Sequence, residues 1–329
     1  MAIIAAQIAP QRSTQYSEMV TALAPHEITL SAIGSQLNDE ITPVKLGQQQ
    51  YLKFQLDAEL DKPLMQALDN LAMTNAYFVY YDALGDVAGP LLKPIEIPSA
   101  PPFPRSLIAT RRYRGKTNEL FTQFMCNLAR YSSDYAATPW RKLTLLDPLS
   151  GGGTTLFVGL VLGADVVGVE KNQQVIEGTI GFLKQYMKEA RISADFREDR
   201  LKTVGKRWFI TLNNSARCVV GRGDTGEVQH FVNGLKRPQL IVTDLPYGIQ
   251  HRDEWKSMLA GALPAWSDVL VKGGAMVFSW DATRFRRDEM IDLVHDVSDF
   301  TVINTPPYDQ LEHQVDRVIK QRDVLVARR

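Results

Sequence analysis

The sequence predicts an α/β chain, with an open, doubly wound sheet over residues 105–329 and a smaller α+β module over residues 1–104. Three observations point there. The apolar run Leu143–Leu146 leads into a glycine-rich turn and a helix start at Thr154 and Thr155. A second apolar run, Ala164–Val169, ends in an acid at Glu170. Five prolines (Pro94, Pro98, Pro101, Pro102 and Pro104) separate this pattern from the shorter elements before it. Proline removes a donor and stiffens the chain, so residues 93–104 read as a linker.

With 329 residues, 45% hydrophobic and 22% charged, the chain has the composition of a globular protein with two domains. Lys+Arg and Asp+Glu are both 37, which argues against non-specific binding to a long polyanion but leaves room for a local basic patch. The two cysteines, Cys126 and Cys218, have no nearby ligand set, so no metal is expected. They read as reduced core thiols and suit a cytoplasmic location. The start, MAIIAAQIAPQRS, lacks the basic region of a secretory signal. No apolar stretch approaches the ~20 residues that span a bilayer, so no membrane partner is expected.

In the first module, residues 27–33 and 50–56 alternate in the manner of strands. Leu64, Leu68 and Leu71 share a helix face, and residues 76–81 read as a further strand. Tyr77, Phe78, Tyr80 and Tyr81 suit a half-buried strand better than a platform for stacked bases. The module is a candidate RNA-binding domain without a catalytic constellation.

Arg111, Arg112, Arg114 and Lys116 surround Tyr113. They read equally as phosphate contacts and as a solvated loop before a helix. Thr117 is the expected cap of that helix, whose apolar face is Leu120, Phe121, Phe124, Met125 and Leu128. The helix ends near Tyr131.

The central turn is Asp147-Pro-Leu-Ser150-Gly151-Gly-Gly153-Thr154-Thr155. A strand, a glycine turn and a helix place backbone N–H groups and a positive helix end beside a ligand. The helix stops at Gly163. The next strand is joined to the first by a helix and must run parallel to it. Glu170, 23 residues after Asp147, is placed for ribose hydroxyls, with Lys171 beside it. Together these features indicate an adenosine-containing cofactor. The turn lacks both Gly-x-Gly-x-x-Gly and a P-loop lysine. An acid before the turn repels phosphates and suits an α-amino group, which points to S-adenosylmethionine (SAM).

A helix over residues 172–191 follows, then a polar stretch, 193–214, which reads as an elaboration of the core fold and as a solvated excursion more readily than a substrate clamp. Residues 216–220 read as a third parallel strand. Asp224, after Gly223, is positioned to accept from an adenine amine, with Asp195 and Asp199 as weaker candidates. Residues 240–243 are a buried strand, and Asp244-Leu245-Pro246-Tyr247-Gly248 follows it. His251 lies just beyond, in a charged loop that reads as solvated more readily than as a substrate contact. Helices over 255–270 and 284–297 and strands over 275–280, 300–304 and 315–326 complete the pattern. The last strands include one antiparallel edge. Thr305-Pro306-Pro307-Tyr308 reads as a loop, since it lacks the acid.

The Asp-Leu-Pro-Tyr run resembles the Asp/Asn-Pro-Pro-Tyr/Phe signature of class I SAM-dependent methyltransferases that act on exocyclic amines. DPLSGGGTT resembles their SAM motif. Within the class the chain is most similar to the tRNA guanosine-N2 methyltransferases, including relatives that carry THUMP domains. The resemblance covers residues 105–329. It implies a Rossmann-like seven-stranded sheet, SAM as cofactor and RNA, most readily tRNA, as partner.

The resemblance further implies that Asp244 and the Leu245 carbonyl accept the amine N–H groups while Tyr247 stacks on the base. Pro246 constrains the turn, and Gly248 lets the chain turn away. Leu245 departs from the signature's first proline, which is tolerable where only a backbone carbonyl is needed. The first module shows no THUMP pattern. DNA adenine-N6 or cytosine-N4 methylation shares the chemistry, but no target-recognition domain is evident. A non-catalytic RNA-binding protein with this fold is the alternative of another class. Nothing in the sequence specifies a protein partner or homo-oligomer.

Overall fold

The structure is a computed structural model that describes residues 2–329 except 12, 99, 114, 203, 247–251 and 316–319. Arg114, Tyr247, Gly248 and His251, all singled out above, therefore lie outside the described residues. The chain forms two compact units: residues 1–100 with 313–320, and residues 101–312 with 321–329.

The first unit contains β1 (Ala2–Ile8), α1 (Thr14–Leu30), β2 (Thr42–Leu46), β3 (Gln49–Leu56), α2 (Lys62–Asn70), β4 (Thr74–Leu84) and β5 (Val87–Pro94). Its sheet order is β2-β3-β1-β4-β5, with every neighbouring pair antiparallel. The apolar N-terminal run is the central strand β1. Lys93 and Pro94, read above as the start of the linker, close β5 and pair with Val79 and Phe78.

The strand expected over 27–33 is absent. Residues 27–30 are instead the end of α1, whose buried stripe is Met19, Val20, Leu23, Ala24, Glu27 and Ile28. A glutamate in that stripe hides the helical period. Glu27 is fully buried, and its carboxylate accepts from the Ala72 amide at 2.9 and 3.0 Å and from the Met73 amide at 2.9 Å. It thereby ties α1 to the entry of β4.

The second unit contains α3 (Ser106–Thr110), α4 (Glu119–Tyr131), β6 (Thr144–Asp147), α5 (Thr154–Leu162), β7 (Asp165–Glu170), α6 (Gln173–Glu189), β8 (Ala194–Leu201), β9 (Gly205–Leu212) and β10 (Ala216–Arg222). It continues with α7 (Val228–Val232), β11 (Leu240–Asp244), α8 (Arg252–Val269), β12 (Ala275–Asp281), α9 (Arg287–Val297) and β13 (Thr301–Ile303). After β14 (His313–Gln314), which counts with the first unit, β15 (Gln321–Arg328) closes the chain.

The sheet order is β13-β15-β12-β11-β6-β7-β10-β9-β8. Strands β12, β11, β6, β7 and β10 run parallel, and β15 is antiparallel to both β12 and β13. From β13 to β10 this is the seven-stranded class I methyltransferase sheet. The antiparallel member lies between β12 and β13 rather than at an edge. Strand β15 begins at Gln321, and of the expected strand residues before it, Val315 and Lys320 lie outside β15 while residues 316–319 lie outside the described residues.

The stretch 193–214 is also corrected. The elaboration is not a mostly solvated excursion but the antiparallel hairpin β8–β9, which extends the sheet beyond β10. Edge strands must stay polar to avoid pairing with other chains, and polarity is what made this one read as a solvated excursion. Lys206 pairs with Glu198 and Arg207 with Asp199, each at 3.0 Å. Arg197 and Arg207 lie 4.9 and 4.6 Å from the Phe209 ring centre.

The core beside β11 and β12 packs Trp255, Leu259 and Trp266 of α8 against Phe278 and Trp280 of β12. Among the described residues no helix is long and apolar enough to cross a membrane.

Glu27→Ala leaves the Ala72 and Met73 amides buried without an acceptor, at about 1–3 kcal/mol each. All the tryptophans lie in the second unit, so their fluorescence does not report on this loss. Native-state hydrogen exchange does: the free energy of opening at amides of the first unit should fall by about 3 kcal/mol, with little change at β6 and β11.

Candidate active site

A cavity of about 720 Å³ opens at the carboxyl ends of β6, β7, β10 and β11 in the second unit. In an open parallel sheet this crevice is where the chain turns away from the strands and leaves backbone groups facing a ligand. Asp147, Ser150, Gly151, Thr154, Thr155, Glu170, Lys171 and Asp224 line it together with Asp244, Leu245 and Pro246. Gly153 is not among the lining residues. It precedes α5 with φ of 87°, a conformation that glycine adopts without a Cβ clash.

The turn is held from both sides. Ser150 N–H donates to the Val169 carbonyl at 2.8 Å, and Gly153 N–H to the Ser150 carbonyl at 2.7 Å. Above it lies Tyr113, whose hydroxyl shares a 2.6 Å hydrogen bond with Thr154 Oγ1. A Cβ on Gly152 would meet that ring at 2.3 Å, so the glycine is needed for the close approach.

Arg111 lies 5.4 Å from the Tyr113 ring centre, 5.7 Å from that of Phe157 and 5.5 Å from that of Phe182. Lys116 Nζ donates to the Ile108 carbonyl at 2.7 Å and pairs with Glu119 at 2.5 Å. Of the basic run, Arg111 and Lys116 therefore shape the protein, and Arg112 is exposed.

Asp147 is 3% exposed. Burial pushes its carboxyl up to about 6, while hydrogen bonds from the Thr155 hydroxyl and the Leu149 amide pull it down and the charge of Asp244 pushes it up again. The Leu149 bond is 3.1 Å. Among the described residues no cation pairs with it. Glu170 Oε1 accepts from the Asn172 amide at 2.7 Å, a bond that orients its carboxylate at the end of β7. Asp224 Oδ1 accepts from the Gly226 amide at 2.8 Å. Asp195 and Asp199 lie on β8 and do not line the cavity.

Asp244 is anchored from two further elements. Thr117 Oγ1 donates to its Oδ2 and Ser279 Oγ to its Oδ1, both at 2.5 Å. Arg322 Nη2 lies 4.0 Å from Oδ2, and the guanidinium sits 4.6 Å from the Phe121 ring centre. The Leu245 amide donates to the Ser279 carbonyl at 2.9 Å, which sets where the chain leaves β11.

Thr117 does not cap α4, as expected above. Asn118 does, with Oδ1 accepting from the Leu120 amide at 2.9 Å and the Phe121 amide at 3.1 Å. Two adjacent residues were both competent to cap, and the longer amide side chain reaches the helix start. Thr117, Ser279 and Tyr113 were not read as site residues. A serine inside AMVFSWD, a strand otherwise apolar up to its terminal Asp281, was the available signal, because a buried hydroxyl needs a partner.

The sheet order and the position of the crevice settle the architecture. The fold is that of the class I SAM-dependent methyltransferases. No protein-family model matches the chain, and no curated protein matches it in sequence. Among solved structures it is similar to TrmN from Thermus thermophilus, with 13% identity, 88% of this chain covered and a TM-score of 0.43. The match spans 59% of that longer chain. It is also similar to the rRNA methyltransferase aviRa from Streptomyces viridochromogenes (15% identity, 67% of this chain and 89% of that one, TM-score 0.40). A third similar structure is precorrin-6y C5,15-methyltransferase from Geobacter metallireducens GS-15 (12% identity, 66% and 92%, TM-score 0.39). At these identities the likeness is one of fold.

The raised Asp147 carboxyl gives a pH signature. Between about pH 4 and 6 the folded protein keeps a proton that the unfolded chain has released, so stability falls as pH rises through that window. Two pKa units correspond to about 3 kcal/mol. Asp147→Asn should therefore raise the stability of the second unit by up to about 3 kcal/mol at pH 8 and change it little at pH 4. Urea unfolding followed by tryptophan fluorescence measures this directly.

Proposed function

We propose that the protein transfers the methyl group of SAM to an exocyclic amine of a nucleobase in RNA, with guanosine N2 in tRNA as the leading substrate. One observation carries the proposal: the Asp147–Thr155 turn and the Asp244-Leu245-Pro246 run line the same cavity.

The residues present suit SAM. Asp147, buried without a cation, matches an α-ammonium group, and the glycine turn offers backbone N–H groups to a carboxylate. Glu170 and Lys171 at the end of β7 suit the ribose, and Asp224 suits the adenine amine. A cavity of about 720 Å³ is within the range that accommodates a cofactor and part of a substrate. When bound, SAM supplies an electrophilic methyl group on a sulfonium.

The protein's own task is to present the amine. The lone pair of a purine exocyclic amine is delocalised into the ring, so the amine is a poor nucleophile. Asp244 and the Leu245 carbonyl each accept an N–H and so orient the lone pair. Positioning of this kind lowers barriers by several kcal/mol, up to roughly 7–11 in the best intramolecular systems. Tyr247 stacks on the base, which must leave its helix or loop to enter. Pro246 constrains the turn that holds these groups. The choice of tRNA and of guanosine N2 rests on the sequence resemblance over residues 105–329. Residues 1–104 are the candidate RNA-binding part.

The test is labelled SAM with undermethylated tRNA, rRNA and DNA, followed by nucleoside mass analysis. The expected product is N2-methylguanosine in tRNA. N6-methyladenine or N4-methylcytosine in DNA would reassign the substrate, and no transfer to any nucleic acid would overturn the proposal. Asp244→Ala should lower transfer at least 100-fold while SAM affinity, measured by calorimetry, stays within about threefold. A matching loss of SAM affinity would show that Asp244 belongs to the cofactor site.

A further inference from the structure

We infer that Thr117 and Ser279 are positioning residues that hold the Asp244 carboxylate in one rotamer at the cavity wall, aligned for a substrate amine. The inference rests on the reading of Asp244 as the group that receives that amine. The two hydroxyls come from opposite sides of the carboxylate and from distant parts of the chain. Thr117 precedes α4, and Ser279 lies directly beside Asp244 in the parallel pairing of β11 with β12. Each donates to a different oxygen at 2.5 Å.

Neither hydroxyl has a competing local role that accounts for its position. Helix α4 is capped by Asn118, so its N-terminus does not need Thr117. Ser279 is fully buried in a strand otherwise built of apolar side chains and its terminal Asp281. A buried serine there costs free energy unless its hydroxyl is bonded, and an alanine would fit the same space. Thr117 itself lines the cavity. Charge-assisted bonds of this kind are the stronger hydrogen bonds in proteins and restrict rotation about the Asp244 side chain. A carboxylate that rotates away from the amine loses the alignment on which the proposed transfer depends, since misplacement by about 1 Å can cost on the order of 100-fold.

The segment that supplies Thr117 also supplies Tyr113. Four residues apart, these two side chains bond to Thr154 beside the glycine turn and to Asp244 across the cavity. A single short stretch thus fixes the distance between the two halves of the site.

The test uses the full-length protein and bulk undermethylated tRNA. Thr117→Val removes the hydroxyl with little change of shape, and Ser279→Ala removes the other. Each is expected to lower kcat at least tenfold, with SAM affinity and the KM for tRNA within about threefold of the parent. Thr117→Ser should restore kcat to within about twofold. A second measurement does not depend on activity: the side-chain carboxyl 13C resonance of Asp244 should move in both variants and return in Thr117→Ser. Unchanged kcat, or a fall in kcat that Thr117→Ser fails to rescue, would overturn the inference. If the parent protein methylates no nucleic acid, the proposed function fails and the carboxyl resonance decides the clamp by itself: a shift supports it, and an unchanged resonance overturns it.

Discussion

The carboxylate of Asp147 is buried at the end of the central strand with no cation beside it among the described residues, and the rest of the site is arranged around that fact. A buried carboxylate is destabilised in its charged form, and here the effect is large enough to raise its pKa to about 6. Such a group weakens the empty protein and rewards a cationic ligand. The Thr155 hydroxyl and the Leu149 amide offset part of the penalty and orient the carboxylate. Evolution commonly accepts local instability of this kind at functional sites and recovers it in the surrounding core. That core is present in the aromatic packing of α8 against β12.

Parallel pairing then brings the second acid close. β6 and β11 are neighbours, so their carboxyl ends open on one crevice. Two acids at adjacent strand ends repel each other, and the second must be held. The hydroxyls of Thr117 and Ser279 hold Asp244, and Arg322 supplies positive charge at 4.0 Å. Tyr113 covers the glycine turn by lying on Gly152. Two of the basic residues around it serve the protein's own packing, Arg111 among three aromatic rings and Lys116 on a carbonyl and Glu119, while Arg112 is exposed.

Much of the sheet was legible because its signals are local and mutually consistent. Gly163 stops α5 with φ of 101°, and the next apolar run starts at once. Asp147, Glu170 and Asp244 were found because each ends a buried apolar run, where an acid is conspicuous. The misreadings have equally local causes. Glu27 breaks the apolar stripe of α1 because its partners, the Ala72 and Met73 amides, are 45 and 46 residues away. The β8–β9 hairpin is polar because it forms the sheet edge. Val315 and Lys320 sit near a strand in sequence but count with the first unit.

By itself the sequence determined the order of elements, the parallel crossover from β6 to β7 and the identity of the acids at the strand ends. Those follow from periodicity, glycine and chirality, all of which act over a few residues. The tertiary structure decided the partners: Asn118 rather than Thr117 on the helix, Thr117 and Ser279 on Asp244, and Tyr113 on the glycine turn. Apart from the local Asn118 cap, the hydrogen bonds to Asp244 and to Thr154 of the turn join residues 35 to 127 positions apart, and hydrogen-bonding capacity alone does not say which distant group will satisfy it. Only packing, which fixes one arrangement of strands and helices, settles that choice.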